Sequence, residues 1–333
     1  MPLTLEDIAR LSNVSRSTVS RVINGDEKVS AETRQRVLEI IQQNNFHPNQ
    51  AARRLAAGRT NILGLVIPAR VGTTFSDPYF SQIIQGVSSA CNAQEYSLML
   101  WLAEPEHERR MIRQILSNGT VDGVIVSSTL TDDPIVGSLH NSLMPYVLIG
   151  HHPALEVNSV DLDHVRAAEE AATHLIRCGY RRLATISGPQ NQTAGQDRLR
   201  GFRAALEKNG LAFEPALAVE GDFTEAGGDA AMQKLLPARP EAVFAASDLM
   251  AAGAYRAIRA AGLRIPEDIA LVGFDDLPVA SQLTPPLTTI RQPIQRMGSL
   301  AVETLIEILH QPEIQPRQII LQPELILRAS TKT

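Results

Sequence analysis

TLEDIARLSNVSRSTVSRVING, residues 4–25, decides what the amino end of this chain is. Thr4 can cap a helix, with Asp7 at the third helical position to return the bond. Ile8, Ala9 and Leu11 supply the inner face of that helix, and Ser12-Asn13 interrupts it. Ser15 can cap a second helix that carries Val19, Val22 and Ile23 on one side. Asn24-Gly25 tolerates the left-handed backbone that ends a helix. Two short helices joined by a tight turn form a helix-turn-helix. Such a motif lays its second helix in the major groove with its first residues against base edges. Here those residues are Arg16, Ser17 and Thr18, with Arg21 one turn on. An arginine can donate to O6 and N7 of one guanine together. The predicted function is therefore sequence-specific DNA binding.

Outward from this stretch, Ser30 can cap a third helix with Val37, Leu38, Ile40 and Ile41 inside, stopped by Asn45 and Pro48. Residues 49–60, NQAARRLAAGRT, form a basic linker with helical propensity but too few residues to hold a helix alone. Residues 1–60 carry nine Lys/Arg and six Asp/Glu, the remainder 22 and 30, so the net charge of −5 hides a basic head on an acidic body. The only cysteines, Cys91 and Cys178, fall in helical segments and read as reduced thiols rather than a disulfide framework or a metal cluster. MPLTLEDIAR is polar where a signal peptide needs an apolar run, and no apolar stretch reaches the roughly 20 residues of a membrane span. A cytoplasmic protein with no membrane partner and no cofactor is expected.

From Ile62 the pattern changes. Strand-like runs recur at ILGLVIP (62–68), SLMLWLA (97–103), DGVIVSS (122–128), YVLIGH (146–151), RLATISG (182–188), AVFAASD (242–248) and IALVGFD (269–275), with a further strand-like stretch at RQIILQPELILRAS (317–330). Amphipathic helical stretches lie between them, for example around 163–178, 195–209, 248–261 and 293–310. Repeated βαβ units make parallel sheets covered by helices. The length exceeds one sheet of five or six strands and points to two similar lobes with a cleft between them. The predicted fold class is α/β, with a small all-α head and two doubly wound lobes. Ligands in such sheets bind beyond the carboxyl ends of the strands, where His151, His152, Ser247, Asp248, Asp275 and Asp276 stand. Asp248 reads as a helix cap, and Trp101 as core.

Residues 4–25 resemble the amino terminus of the lac repressor family. PNQAARRLA resembles that family's hinge helix. GFRAAL, AASDLMAAGAYRAI and GFDDLPVASQLTPPLTTIRQP resemble its effector-binding core, and all five segments occur in the right order. The resemblance implies a head over 1–47, a hinge over 48–60 and a core over 61–333. The core would comprise an N-lobe over about 61–161 plus 292–322 and a C-lobe over about 162–291 plus 323–330. It implies a homodimeric repressor with a core like that of periplasmic sugar-binding proteins. Ser17 and Arg16 match the family's specificity positions and Arg21 its nearly fixed arginine. Thr4, Ser15, Ser20 and Asn24 match phosphate contacts, which set register without reading sequence. Leu55 matches the leucine wedged into the minor groove, Ala52 a residue that permits close approach, and Asn49 a backbone or base contact. In the core, Asp77, Tyr79 and Phe80 match the pocket loop. Arg198 matches a ligand-clamping arginine, Asp275 a hydroxyl-accepting aspartate and Phe223 a stacking aromatic. Ser247 matches a polar pocket position and His152 a variable one.

A rival enzymatic reading finds no GxGxxG, Walker loop, HExxH or GxSxG. Asp275 and Asp276 could pass for an acid/base pair, but neighbours on a strand point to opposite faces. A transport-type binding protein would not carry the head. A purine or phosphorylated effector stays open, with Arg291 as its candidate phosphate cation. The partners expected are a pseudo-palindromic double-stranded operator, a small effector of sugar type and a second copy of the chain. Whether the effector weakens or strengthens DNA binding depends on how lobe closure alters the hinge, and both signs stay open.

Overall fold

The computed structural model describes residues 3–23, 26, 28–46, 59–67, 75–102, 107–117, 119–127, 130–131 and 133–332. Residues 1–60 and 61–333 are separate compact units.

The head is built from α1 (Leu5–Leu11), α2 (Arg16–Ile23) and α3 (Ala31–Gln43). Thr4 and Asp7 cap α1 reciprocally: the Thr4 N–H donates to Asp7 Oδ2 at 3.0 Å and the Asp7 N–H to Thr4 Oγ1 at 3.3 Å. Ser15 Oγ accepts from the Thr18 N–H at 3.1 Å and opens α2. Ser30 does the same for α3. Ile8, Val19, Val22, Val37 and Phe46 meet in a small core that excludes water. Two expected core residues lie outside it: Leu11 is 49% exposed and Leu38 48%. The inward stripe of α1 runs through Leu5, Ile8, Ala9 and Ser12 at i, i+3, i+4 and i+7, which turns Leu11 about a quarter-turn away. Ser12 takes the inner place because its hydroxyl donates to Ile8 O at 2.6 Å. In α3 the stripe is Val37, Ile40 and Ile41, and Leu38 falls beside it.

The core unit holds two six-stranded sheets. The first is entirely parallel, in the order β11-β5-β4-β3-β1-β2. Its strands are β1 (Ile62–Ile67), β2 (Ser97–Leu102), β3 (Gly123–Ser127), β4 (Tyr146–Ile149), β5 (Ser159–Leu162) and β11 (Gln318–Leu321). Helices α4 (Pro78–Ala93) and α12 (Ile294–His310) cover one face, and α5 (Glu108–Ser117) and α6 (Pro134–His140) the other. The second sheet runs β12-β10-β9-β8-β6-β7, with only β12 antiparallel. Its strands are β6 (Leu183–Ser187), β7 (Ala218–Glu220), β8 (Ala242–Ala245), β9 (Ala270–Asp275), β10 (Thr288–Arg291) and β12 (Glu324–Ile326). Helices α7 (His164–Arg177) and α8 (Thr193–Lys208) cover one face, α9 (Glu225–Leu235) and α10 (Asp248–Ala260) the other; α11 (Pro278–Gln282) is a short turn of helix. Strands buried on both faces explain why most read as unbroken apolar runs.

Three strands have no counterpart among the predicted runs. β5, SVDL, carries a central aspartate, three of the four residues of β10, TTIR, are polar, and β7 spans three residues at a sheet edge. Their stability comes from their neighbours rather than from their own pattern. The run RQIILQPELILRAS reads as one strand-like stretch, yet it divides at Gln322-Pro323. A proline cannot donate to a ladder. The residues before it extend the first sheet and those after it the second. Helix α12 lies close on α4 because Gly86 leaves room: a Cβ there would sit 2.1 Å from Gln295 O. Trp101 packs against the cluster of Val66, Met111 and Ile115, as core.

Candidate functional site: a cleft between two sheets

The carboxyl ends of both sheets face a cavity of about 140 Å³ lined by residues of both lobes. Asp77 caps α4, accepting from the Tyr79 N–H at 2.9 Å, and so fixes the first pocket loop. Burial pushes the Asp77 carboxyl up, against its hydrogen bond to Tyr79 and the charge of Arg198. Tyr79 and Phe80 follow it, with ring centroids 5.4 Å apart, edge to face.

Arg198 rises from α8 into the floor and is 5% exposed. Its Nη1 donates to Ala246 O at 2.5 Å, its Nε to His164 Nδ1 at 3.4 Å, and Nη1 lies 3.5 Å from Asp275 Oδ1. The guanidinium carbon sits 3.8 Å from the Phe274 ring centroid and 5.6 Å from that of Phe223. Phe223 adopts a positive φ of 64° and lays its ring over Gly188, where a Cβ would come within 2.3 Å of it. A floor of this kind offers a fixed donor fork and a ring face together.

Asp275 ends β9 with φ 111°. A non-glycine residue held there costs free energy, and such outliers concentrate at binding sites. Gln292 Nε2 donates to Asp275 Oδ1 at 2.5 Å. Burial pushes the carboxyl up to about 7, with Arg198 opposing and the Asp77 charge assisting. Gln292 Oε1 is buried without a hydrogen-bond partner among the described residues. Asp276 turns the other way, to Arg291 Nε at 2.8 Å and Arg328 Nη2 at 2.5 Å. The two neighbouring carboxylates therefore serve different surroundings, and Arg291 is occupied by Asp276 and Glu324 outside the cavity.

Ser247 lines the cavity and caps α10, accepting from the Met250 N–H at 3.2 Å. Asp248, expected as that cap, is instead fully buried. It accepts from the Leu277 N–H at 2.7 Å and the Thr289 hydroxyl at 2.6 Å, tying α10 to its sheet. Burial and the Asp275 charge push its carboxyl well above the usual range. His152 is a second correction. It folds onto its own loop, where Nδ1 accepts from the Ala154 N–H at 3.2 Å, and it does not line the cavity. Neighbouring residues of an extended segment point to opposite sides, and His151 turns instead toward Asp161 and Asp197, also outside the cavity lining.

The cavity also uses Asp161 and His164, which the sequence reading passes over. His164 Nε2 lies 3.2 Å from Asp161 Oδ1. Burial would lift the Asp161 carboxyl, but the His164 and His151 imidazoles overcome it and hold the group below the usual carboxylate range. The signal was present: Asp161 stands near the carboxyl end of β5 and His164 two residues beyond it, but β5 is too polar to read as a strand. Asp77, Tyr79, Phe80, Arg198, Phe223, Ser247 and Asp275 converge on the same cavity.

On the head, Arg16, Ser17 and Arg21 are exposed along α2, and Thr18 and Ser20 are half-buried. Ser17 and Arg21, four residues apart, share one face. Arg16 Nε pairs with Glu6 at 3.0 Å, and Arg21 Nε lies 3.8 Å from Asp26. The Ser15 hydroxyl bonds both Ser17 and Thr18, at 2.7 and 2.8 Å, so the helix start is internally fixed. Thr4 is exposed but engaged with Asp7. Asn24, Asn49, Ala52 and Leu55 lie outside the described residues.

Residues 4–49 match the lacI family of bacterial regulatory proteins, and residues 172–331 match a periplasmic binding protein-like domain. The HTH-type transcriptional regulator CelR of Thermobifida fusca is 39% identical over 332 residues, 98% of each chain. The ribose operon repressor of Escherichia coli K12 is 38% identical over 98% of this chain and 99% of its own. A crystal structure of the lac repressor dimer bound to operator and an anti-inducer is 28% identical, with a TM-score of 0.90 and full coverage of both chains. These relatives are transcription regulators, not enzymes.

Proposed function

Because this chain belongs to the lacI family of bacterial regulatory proteins, we propose that it represses carbohydrate-metabolism genes under the control of a small sugar bound in the cleft. Its head reads a pseudo-palindromic operator as half of a dimer, with Arg16, Ser17 and Arg21 toward base edges and Thr4, Ser15 and Ser20 toward phosphates.

The observation that carries the effector reading is the buried Arg198–Asp275 pair set beside Phe223 in one cavity. A sugar needs donors and acceptors for vicinal hydroxyls and a ring for its C–H face. Arg198 supplies donors, Asp161 an ionised acceptor, and Asp275 a carboxyl that can donate or accept near neutral pH. The cavity of about 140 Å³ suits a small ligand. Arg291 is engaged elsewhere, so the phosphorylated-effector reading lacks its cation.

A thermal-shift screen with D-ribose, D-glucose, cellobiose and hypoxanthine tests this. A ligand at a hundredfold excess over its Kd stabilises by about 2.7 kcal/mol, so one of the sugars should raise the Tm by several degrees. Stabilisation by hypoxanthine alone would move the reading to a purine effector. DNA selected from a random duplex library should be near-palindromic, and its affinity should fall steeply with salt.

A further inference from the structure

A chain of charged groups crosses the cleft rim beside the cavity. His151 follows β4 in the first lobe. Its Nδ1 lies 2.8 Å from Asp161 Oδ2 on β5, and its Nε2 lies 3.5 Å from Asp197 Oδ2 on α8, in the other lobe. Arg200 Nη2 sits 2.5 Å from Asp197 Oδ1. Neither His151 nor Asp197 lines the cavity, but Asp161 and its partner His164 do. Among the described residues, His151 therefore touches both lobes and meets the effector site through Asp161.

We propose that His151 is a positioning residue whose imidazolium ties Asp161 of one lobe to Asp197 of the other and so favours the closed cleft that holds the effector. An imidazolium has two N–H donors, and both nitrogens here face carboxylates. A neutral ring has one donor. With Nδ1–H kept for Asp161, the Nε2 lone pair would face the Asp197 carboxylate and the cross-lobe contact would turn repulsive. Among the described residues, the charged and titratable groups facing the ring include Asp161 from β5 and Asp197 and Arg200 from α8, with His164 from the start of α7 acting through Asp161. The hydrogen bond to Asp161 raises the imidazole above its ordinary value against burial; the charges of Asp161 and Asp197 add to the rise, and Arg200 opposes it. Opening the cleft removes Asp197, so the open form releases the proton more readily. Closure is then favoured in full below the ordinary histidine value, and the advantage fades as pH rises through the closed-form value. Two further cross-lobe contacts, the Thr131 N–H to Asn191 O at 3.0 Å and the pairing of Leu130 with Gln192, involve no titratable group.

The role in effector binding rests on the sugar reading, but the tie itself is testable without a ligand. The His151 imidazole is followed through a pH titration of the full chain by NMR, its resonance assigned by its loss in H151Q. Its midpoint should lie above that of an ordinary histidine and move down in D197N. A midpoint unmoved in D197N overturns the proposal whatever occupies the cleft. D-ribose is then titrated against wild type, H151Q and D197N at about pH 6 and about pH 8.5. Asp275 also titrates near 7, so the effect of His151 is read as the difference between wild type and H151Q. Wild-type affinity should fall by a larger factor than that of H151Q between the two pH values, about tenfold for each pKa unit that separates the closed from the open form. Equal pH slopes in the two proteins overturn the positioning role. A midpoint that drops in D197N while none of the sugars of the thermal-shift screen binds supports the tie and counts against the sugar reading instead.

Discussion

Asp275 shows how a single residue can trade stability for recognition. Its carboxyl is pushed up to about 7 by burial, while an unfolded aspartate titrates near 4. The folded state thus holds this proton more tightly than the unfolded state. Folding gains from the group at low pH, and the gain is lost as pH rises from about 4 to about 7. The unliganded protein should lose Tm across that window, and D275N should flatten the slope; a calorimetric pH series on both proteins measures it. The same substitution should weaken sugar binding, because Arg198 would keep its guanidinium buried beside a neutral amide. Arg16 offers the opposite case. Its pair with Glu6 is exposed on both sides and is worth at most about 1 kcal/mol. R16A should lower the Tm by no more than a few degrees and alter the operator selected from a random library. Selection of the same operator by both proteins would remove Arg16 from base reading.

Elements were legible where one local rule decides them. The Thr4–Asp7 capping box and the Ser15 and Ser30 caps could be read from residue type and spacing alone. The apolar runs that became β1, β3, β4, β8 and β9 were readable because both faces are buried. β5 and β10 were not, since their polar residues find partners only after the sheets assemble: Asp161 with two histidines, and Thr289 with Asp248. The site was lost at the same place, because a rule that looks beyond strand ends cannot be applied to a strand that has not been seen. His152 and Asp248 failed for a related reason. Sequence places a residue at a strand end but does not say to which side a loop turns it. Close helix packing was equally hidden. G86A would place a methyl group against the backbone of Gln295. It should cost about 1–3 kcal/mol, read as a lower urea midpoint with an unchanged m-value.

At the scale of the whole molecule, a head for DNA and a cleft for a small ligand are joined in one chain. If the ligand changes the affinity of this protein for its operator, the operator must change its affinity for the ligand by the same factor. Isothermal titration with and without a bound operator duplex should give that factor within error, with a ratio of about 5 to 150 for a coupling of 1–3 kcal/mol. A ratio of one would leave the cleft with no regulatory task. The general plan was readable from the order of patterns, helices first and then alternating strands and helices. The arrangement of the strands was not, because the chain returns to the first sheet after completing most of the second. Gln322-Pro323 stands between the two edge strands that follow, one for each sheet. During synthesis, the first sheet consequently lacks β11 until Leu321 has been added, and the second lacks β12 until Ile326. Until that segment arrives, β5 and β10 each keep an unpaired edge that the nascent chain must hold away from a neighbour.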